Sequence, residues 1–215
     1  MTIWIDTLRY KNLVYTRTYK CASTYLCNFL KKKGFERIDI NDLNEEDKMF
    51  TFIQNPYVRR VKGIAEVLFD TGCERKLTEQ NFVKLIKDAT VLDHHTIPYS
   101  AQYRNYMNRI LFFPIDSEVI GLDDLLIKFF AVHCPELNNV HITENIPKNL
   151  GSNTEGYGYN GKIKKIKIRA YDFIKKFATN KELSELVLAD DYVIWSNSKR
   201  SVETDLDTYL TSKYQ

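Results

Sequence analysis

The stretch Asn12-Leu-Val-Tyr-Thr-Arg-Thr-Tyr-Lys20-Cys-Ala-Ser-Thr24-Tyr-Leu-Cys-Asn-Phe-Leu-Lys-Lys-Lys33-Gly34 changes its period part-way along. Asn12 to Tyr19 is rich in Thr, Tyr and Val, residues that suit a pleated, half-buried surface, and reads as the first strand. From Ser23 to Lys33 the apolar residues Leu26, Phe29 and Leu30 recur at helical spacing, Lys31 to Lys33 complement the C-terminal end of the helix dipole, and Gly34 offers a C-cap. Strand, tight loop and helix in this order form the opening unit of an α/β domain. In an open parallel sheet such a turn is where phosphate groups bind, because backbone N–H groups and the helix dipole converge there. Lys20 stands at its mouth, Ala22 is small enough for close backbone approach, and the Ser23 and Thr24 hydroxyls either cap the helix or donate to a phosphate oxygen. Taken alone, the same residues also fit an ordinary capped helix with a surface lysine, since the two glycines of the ATP-binding loop G-x-x-x-x-G-K-[ST] are missing.

Working outward, short β-rich runs alternate with helical patterns. This alternation predicts a three-layer α/β sandwich with a central, mainly parallel sheet covered on both faces. Phe35 to Ile40 reads as a second strand and Met49 to Ile53 as a short central one, separated by the charged loop Asn41 to Lys48. Asn55-Pro56 supplies an N-cap and a first-turn proline. Tyr57, Val61, Ile64, Ala65 and Leu68 then share one helical face, with Arg59, Arg60, Lys62 and Glu66 on the opposite side, which taken alone fits a solvated basic face. Further helices are expected from Thr78 to about Ala89, around Leu122 to Phe130, from about Lys164 to Phe177, and from Lys181 to Trp195. Arg109 to Ile115 reads as another strand.

With 215 residues and 44% hydrophobic content the chain supports one substantial core, so residues 1–215 are expected to form a single domain. The 31 Lys and Arg nearly balance the 28 Asp and Glu, and a net charge of +3 argues against nucleic acid as a partner. No window approaches the roughly eighteen apolar residues of a membrane span, and Met1 to Asp6 lacks the layout of a signal peptide. The four cysteines, Cys21, Cys27, Cys73 and Cys134, show no paired spacing. Together these features lead to the expectation of a soluble protein in a reducing cytoplasm.

Four segments carry a family resemblance. Tyr15-Thr-Arg17-Thr-Tyr-Lys20-Cys-Ala-Ser23-Thr24 resembles the 5′-phosphosulfate loop of the Golgi-type carbohydrate sulfotransferases, an apolar strand followed by Arg, two residues and Lys-x-Gly/Ala-Ser-Thr. Phe50-Thr-Phe-Ile-Gln54-Asn55-Pro56-Tyr57-Val-Arg59-Arg-Val-Lys62 is similar to the family's strand-then-helix element that contacts the 3′-phosphate. Here Gln54 replaces the usual arginine and Lys62 the usual serine. An arginine is a forked, permanent cation that glutamine does not reproduce, and Lys62 restores one positive charge from the next helical turn. Asp93-His94-His95-Thr-Ile-Pro98-Tyr99 resembles the family's Asp-x-His-x-x-Pro-Gln, with Tyr99 in place of glutamine. The strand and helix Ile110-Leu-Phe-Phe-Pro-Ile-Asp116 and Leu122-Asp-Asp-Leu125 resemble the family's Phe-Asp-Phe-Ile-Gly-x-Phe-Glu followed by a helix. The likeness covers about the first two thirds of the chain.

The resemblance implies a P-loop-like sulfotransferase fold and transfer of a sulfuryl group from 3′-phosphoadenosine 5′-phosphosulfate to a hydroxyl, on a carbohydrate or related polar molecule. It implies donor binding by Arg17, Lys20, Cys21, Ala22, Ser23, Thr24, Asn55, Arg59 and Lys62, with Lys20 stabilising the leaving phosphate oxygen. His95 is the preferred general base, because imidazole titrates near neutrality. His94 competes, and Glu66, Asp70 and Asp93 are further candidates. No metal is expected: His94 and His95 are adjacent, His133 and His141 stand apart, and no carboxylate or cysteine cluster completes a ligand set. Gly156-Tyr-Gly-Tyr-Asn-Gly161-Lys162 matches two nucleotide-binding patterns, but no strand precedes it and Ile163 stands where a magnesium-binding hydroxyl belongs. Its tyrosines, with Lys162, Lys164, Lys165 and Lys167, form either a cover for an anion or a solvated face. Two rival readings are a non-catalytic binding module of the same fold and a small-molecule kinase.

Overall fold

The computed structural model describes residues 6–70, 94–137 and 181–212, together with positions 78, 80, 81 and 84. The helical states at 80, 81 and 84 fall within the helix expected after Thr78, and the rest of that helix lies outside the described residues. So do Asp93, the segment from His141 to Lys167, and the helix expected from Lys164 to Phe177.

The strand expected at Asn12 to Tyr19 is shorter, Leu13–Thr16, and a strand that the sequence did not announce precedes it. β1 (Thr7–Tyr10) and β2 (Leu13–Thr16) form an antiparallel hairpin pairing Thr7 with Thr16 and Tyr10 with Leu13. The turn between them, Lys11-Asn12, places Lys11 at φ 52, the positive angle that a two-residue hairpin turn demands. β2 leads through the loop into α1 (Ser23–Lys32), whose end is closed by Gly34 at φ 90 and by the Phe35 amide donating back to the Leu30 carbonyl. β3 (Glu36–Ile38) pairs antiparallel with the outer side of β1. β4 (Lys48–Ile53) lies parallel to β2, and β5 (Ile110–Pro114) parallel to β4. The order is β3-β1-β2-β4-β5. The sheet is therefore mixed rather than mainly parallel, because the hairpin gives one half an antiparallel edge.

β4 shows why the sheet needs cover on both faces. Phe50 and Phe52 point one way and Met49, Thr51 and Ile53 the other, and all five are 0% exposed. On the Phe50 side α4 (Leu122–His133) contributes Phe129 and Phe130, with ring centroids 4.8 Å and 6.3 Å from Phe50. On the Thr51 side lie Tyr103 and a polar cluster described below. β5 is an edge strand, and the hydroxyl of Tyr209 satisfies it by donating to the Phe112 carbonyl at 2.9 Å and accepting from its amide at 3.3 Å. Tyr209 belongs to α6 (Leu206–Thr211), which follows α5 (Lys181–Thr204), a helix kinked at Leu188.

α2 (Pro56–Asp70) starts as expected, with Asn55 Oδ1 accepting from the amides of Tyr57 at 3.0 Å and Val58 at 3.3 Å. Tyr57, Val61 and Ile64 are buried. The basic side of α2 is not a solvated face at Arg59 and Arg60. Arg59 and Arg60 are 2% and 1% exposed, because the segment carrying His94 and His95 packs over that side of the helix.

Candidate functional site

Because β2 and β4 are neighbours and parallel, the loop after β2 and the Gln54-Asn55 turn after β4 open on the same edge of the sheet. This is the geometry in which α/β sheets hold ligands. The loop backbone departs from ordinary conformations. Lys20 has φ 66 and Ala22 φ 55, both left-handed and both at residues with a Cβ, which costs about 1–2 kcal/mol each. Ala22 is the N-cap residue of α1 and has no side chain that can cap it, and no acidic residue lies in the first turn. Ser23 and Thr24 are the first two residues of α1, past the cap position. Both accept from Arg17, Ser23 Oγ from Nε at 3.3 Å and Thr24 Oγ1 from Nη2 at 3.1 Å. Accepting from arginine leaves the Ser23 hydroxyl proton to be donated elsewhere.

Arg17 is also paired with Asp6 at 3.1 Å and lies 4.2 Å from the ring centroid of Tyr19. Tyr19 in turn meets the rings of His94 and His95 edge-on at 4.5 Å and 5.3 Å. His94 is exposed and His95 half-buried. The structure thus brings Arg17, Lys20, Ser23, Thr24, Lys62 and the histidine pair into one neighbourhood formed by the loop, the start of α2 and the segment 94–98.

Arg59 is the bolt between these parts. Its Nε donates to the Tyr19 carbonyl at 3.0 Å, its Nη1 to the Ile97 carbonyl at 2.5 Å, and its guanidinium lies 4.7 Å from the Tyr99 ring centroid. Nη2 is buried with no hydrogen-bond partner among the described residues. Arg60 donates to the Thr96 carbonyl at 3.0 Å. Asn55 contributes its side chain to the α2 cap, and its amide donates to Asp116 at 3.0 Å. Lys62, half-buried, donates to Gln54 Oε1 at 3.0 Å. Burial pulls the Lys62 ammonium below the ordinary lysine pKa, with the Cys21 thiol and Asp116 opposing and Lys20 adding to the shift. Cys21 is wholly buried, its thiol is pushed up by burial, and its sulfur lies 3.5 Å from the Tyr99 hydroxyl.

Beneath the loop a polar cluster fixes its take-off. Thr18 Oγ1 lies 2.7 Å from Thr51 Oγ1 and 2.6 Å from the Tyr103 hydroxyl, and Gln102 Nε2 donates to the Arg17 carbonyl at 2.9 Å. The short helix α3 (Tyr99–Gln102) is held from above by Asp191 of α5, whose carboxylate accepts from the amides of Tyr99 at 2.7 Å and Ser100 at 2.9 Å. Burial raises the Asp191 pKa, those two amides pull it back down, and Arg59 is the cation that favours its charge.

Gln54, Tyr19, Gln102 and Asp191 are the members that reading the sequence did not place. Tyr19 sat in the loop and Gln54 in a matched motif, so both were within reach. Gln102 and Asp191 carried no local signal. Among the described residues no group of three His, Cys, Asp or Glu is placed to hold a metal ion, and no described helix is long and apolar enough to cross a membrane. No protein-family model, curated protein or solved structure matches the chain.

Proposed function

We propose that this protein transfers a sulfuryl group from 3′-phosphoadenosine 5′-phosphosulfate to a hydroxyl, on a carbohydrate or a related polar acceptor. One observation carries the reading. A helix start whose N-cap residue is an alanine, a loop held in left-handed geometry at Lys20 and Ala22, and the Lys62 ammonium meet at the carboxyl ends of two adjacent parallel strands. The acceptor oxygen attacks sulfur as the bond from sulfur to the 5′-phosphate oxygen breaks. Lys20 and the first amides of α1 take the charge that develops on the departing phosphate, and His95 receives the hydroxyl proton. Lys62 and Arg59 Nη2, which has no hydrogen-bond partner among the described residues, add positive potential for a second phosphate. The buried free thiols of Cys21, Cys27 and Cys134 support a reducing compartment such as the cytoplasm.

Labelled-sulfate transfer by the parent and by Lys20→Ala is the test. Removal of a charged transition-state contact is expected to slow turnover by about 10²–10³-fold with the fold intact. Equal rates in the two proteins sink the mechanism. Arg59 favours a second reading, a non-catalytic binder of the same nucleotide, since two of its three nitrogens are committed to the Tyr19 and Ile97 carbonyls. Binding of adenosine 3′,5′-bisphosphate in a calorimeter, without transfer to any acceptor in a broad panel, selects that reading.

A further inference from the structure

Gln54 closes the carboxyl end of β4 and is 4% exposed. Its carboxamide links the two lysines of the site. Lys62 Nζ donates to Oε1 at 3.0 Å, and Nε2 donates to the Lys20 carbonyl at 2.5 Å. An ammonium only donates and a carbonyl only accepts, so these partners fix which way the amide faces. The Gln54 main chain is fixed as well, since the Tyr99 hydroxyl accepts from its amide at 3.2 Å and donates to its carbonyl at 2.9 Å. A rigid post thus stands against the carbonyl of Lys20, a residue held at φ 66.

A left-handed lysine relaxes unless its surroundings over-determine it. We infer that Gln54 is a positioning residue: oriented by the Lys62 ammonium, it holds the Lys20 carbonyl and so keeps the loop in the form that presents its amides and the α1 start to an anion. Lys62 then acts on the ligand twice, through its charge and through the shape of the loop. The groups that face it are Lys20 and Cys21 of the loop and Asp116 beyond β5. Loss of the Lys62 proton removes the obligate donor that turns Oε1, and the hold on Lys20 weakens with it. The geometric part of this inference stands on the ligand-free protein, and only its effect on affinity rests on the reading above.

The full-length chain, labelled with ¹³C and ¹⁵N, is followed by carbonyl-detected NMR, with adenosine 3′,5′-bisphosphate as the binding probe. Gln54→Met keeps the length and removes both hydrogen bonds, whereas Gln54→Glu keeps the partner of Lys62 but cannot donate to Lys20. Both are expected to shift the Lys20 carbonyl resonance while leaving β1 and β3 unchanged, and to weaken bisphosphate binding about tenfold. In the parent that carbonyl is expected to titrate below the ordinary lysine value of 10.5, and in Lys62→Met to stop titrating. An unmoved Lys20 carbonyl in Gln54→Glu, or an unchanged titration in Lys62→Met, overturns the inference. If Gln54→Met does not fold, those two measurements still decide. Failure of the parent to bind the bisphosphate counts against the proposed function and leaves the carbonyl result to judge Gln54.

Discussion

Gly63→Ala tests how the histidine segment is seated on α2. A Cβ at position 63 would stand 2.3 Å from the His95 carbonyl oxygen, 2.8 Å from its carbon and 2.9 Å from Thr96 Cγ2. The first two are backbone atoms, so relief requires the segment to retreat by about 1 Å to reach ordinary van der Waals separation. That shift takes the Ile97 and Thr96 carbonyls, now 2.5 Å and 3.0 Å from Arg59 and Arg60, to the limit of hydrogen bonding or beyond. Two buried bonds from charged donors are worth about 1.5–3 kcal/mol each, and alanine returns about 1 kcal/mol of helix propensity. The expected net loss is about 2–5 kcal/mol. Urea unfolding followed by circular dichroism measures it as a lower midpoint at unchanged slope. A Gly63→Ala protein as stable as the parent, or more stable, would refute the close seating and the clamp built on it.

Ala22→Gly is expected to raise stability by about 1 kcal/mol, read by the same unfolding, because glycine carries no penalty at φ 55. Asp191→Ala is expected to cost about 2–4 kcal/mol by leaving two amides of α3 without their charged acceptor, with Asp191→Asn recovering part through its remaining oxygen. His133 supplies a pH signature. Burial lowers its pKa, opposed by the hydrogen bond that Nε2–H donates to the Leu210 carbonyl at 2.8 Å and helped by the Lys48 ammonium 3.2 Å from Nδ1, so the folded state disfavours its protonation. As pH falls from the unfolded value of 6.5 towards the lower folded one, the unfolded chain gains a proton that the folded chain refuses, and stability drops. Thermal unfolding of His133→Gln is expected to vary less with pH than the parent across that window.

Where local pattern and burial agree, the sequence reading holds. α1 ends at Lys32 with Gly34 left-handed behind it, β4 starts one residue earlier than expected, and Asn55 caps α2. The hairpin escaped because Lys11-Asn12 lacks the Asn-Gly or Asp-Gly mark of such turns, so β1 went unassigned before the strand at Asn12 and the sheet read as mainly parallel. Arg59 and Arg60 escaped for another reason. A helical wheel puts Arg59 opposite Val61 and Ile64 and Arg60 on the flank beside Ile64, positions that face solvent only if nothing else packs there, and what packs there is residues 94–98. Asp191 was equally invisible, because Asp190-Asp191 looks like any exposed acidic pair until α5 bends at Leu188. The loop was legible because phosphate cradles are built from consecutive residues. The parts that position it come from distant segments joined by buried hydrogen bonds, and no spacing rule encodes those.

The contact between Asp191 and α3 spans ninety-two and ninety-one positions of chain. During synthesis at roughly 5–20 residues per second, the loop around Lys20 leaves the ribosome well before the carboxylate that anchors the segment behind His95. For that interval the nascent chain carries a phosphate cradle with one wall unsecured. Assembly of the site is thus a late event in the life of the polypeptide, and its rate is set by long-range closure rather than by the strand, loop and helix that announce it in the sequence.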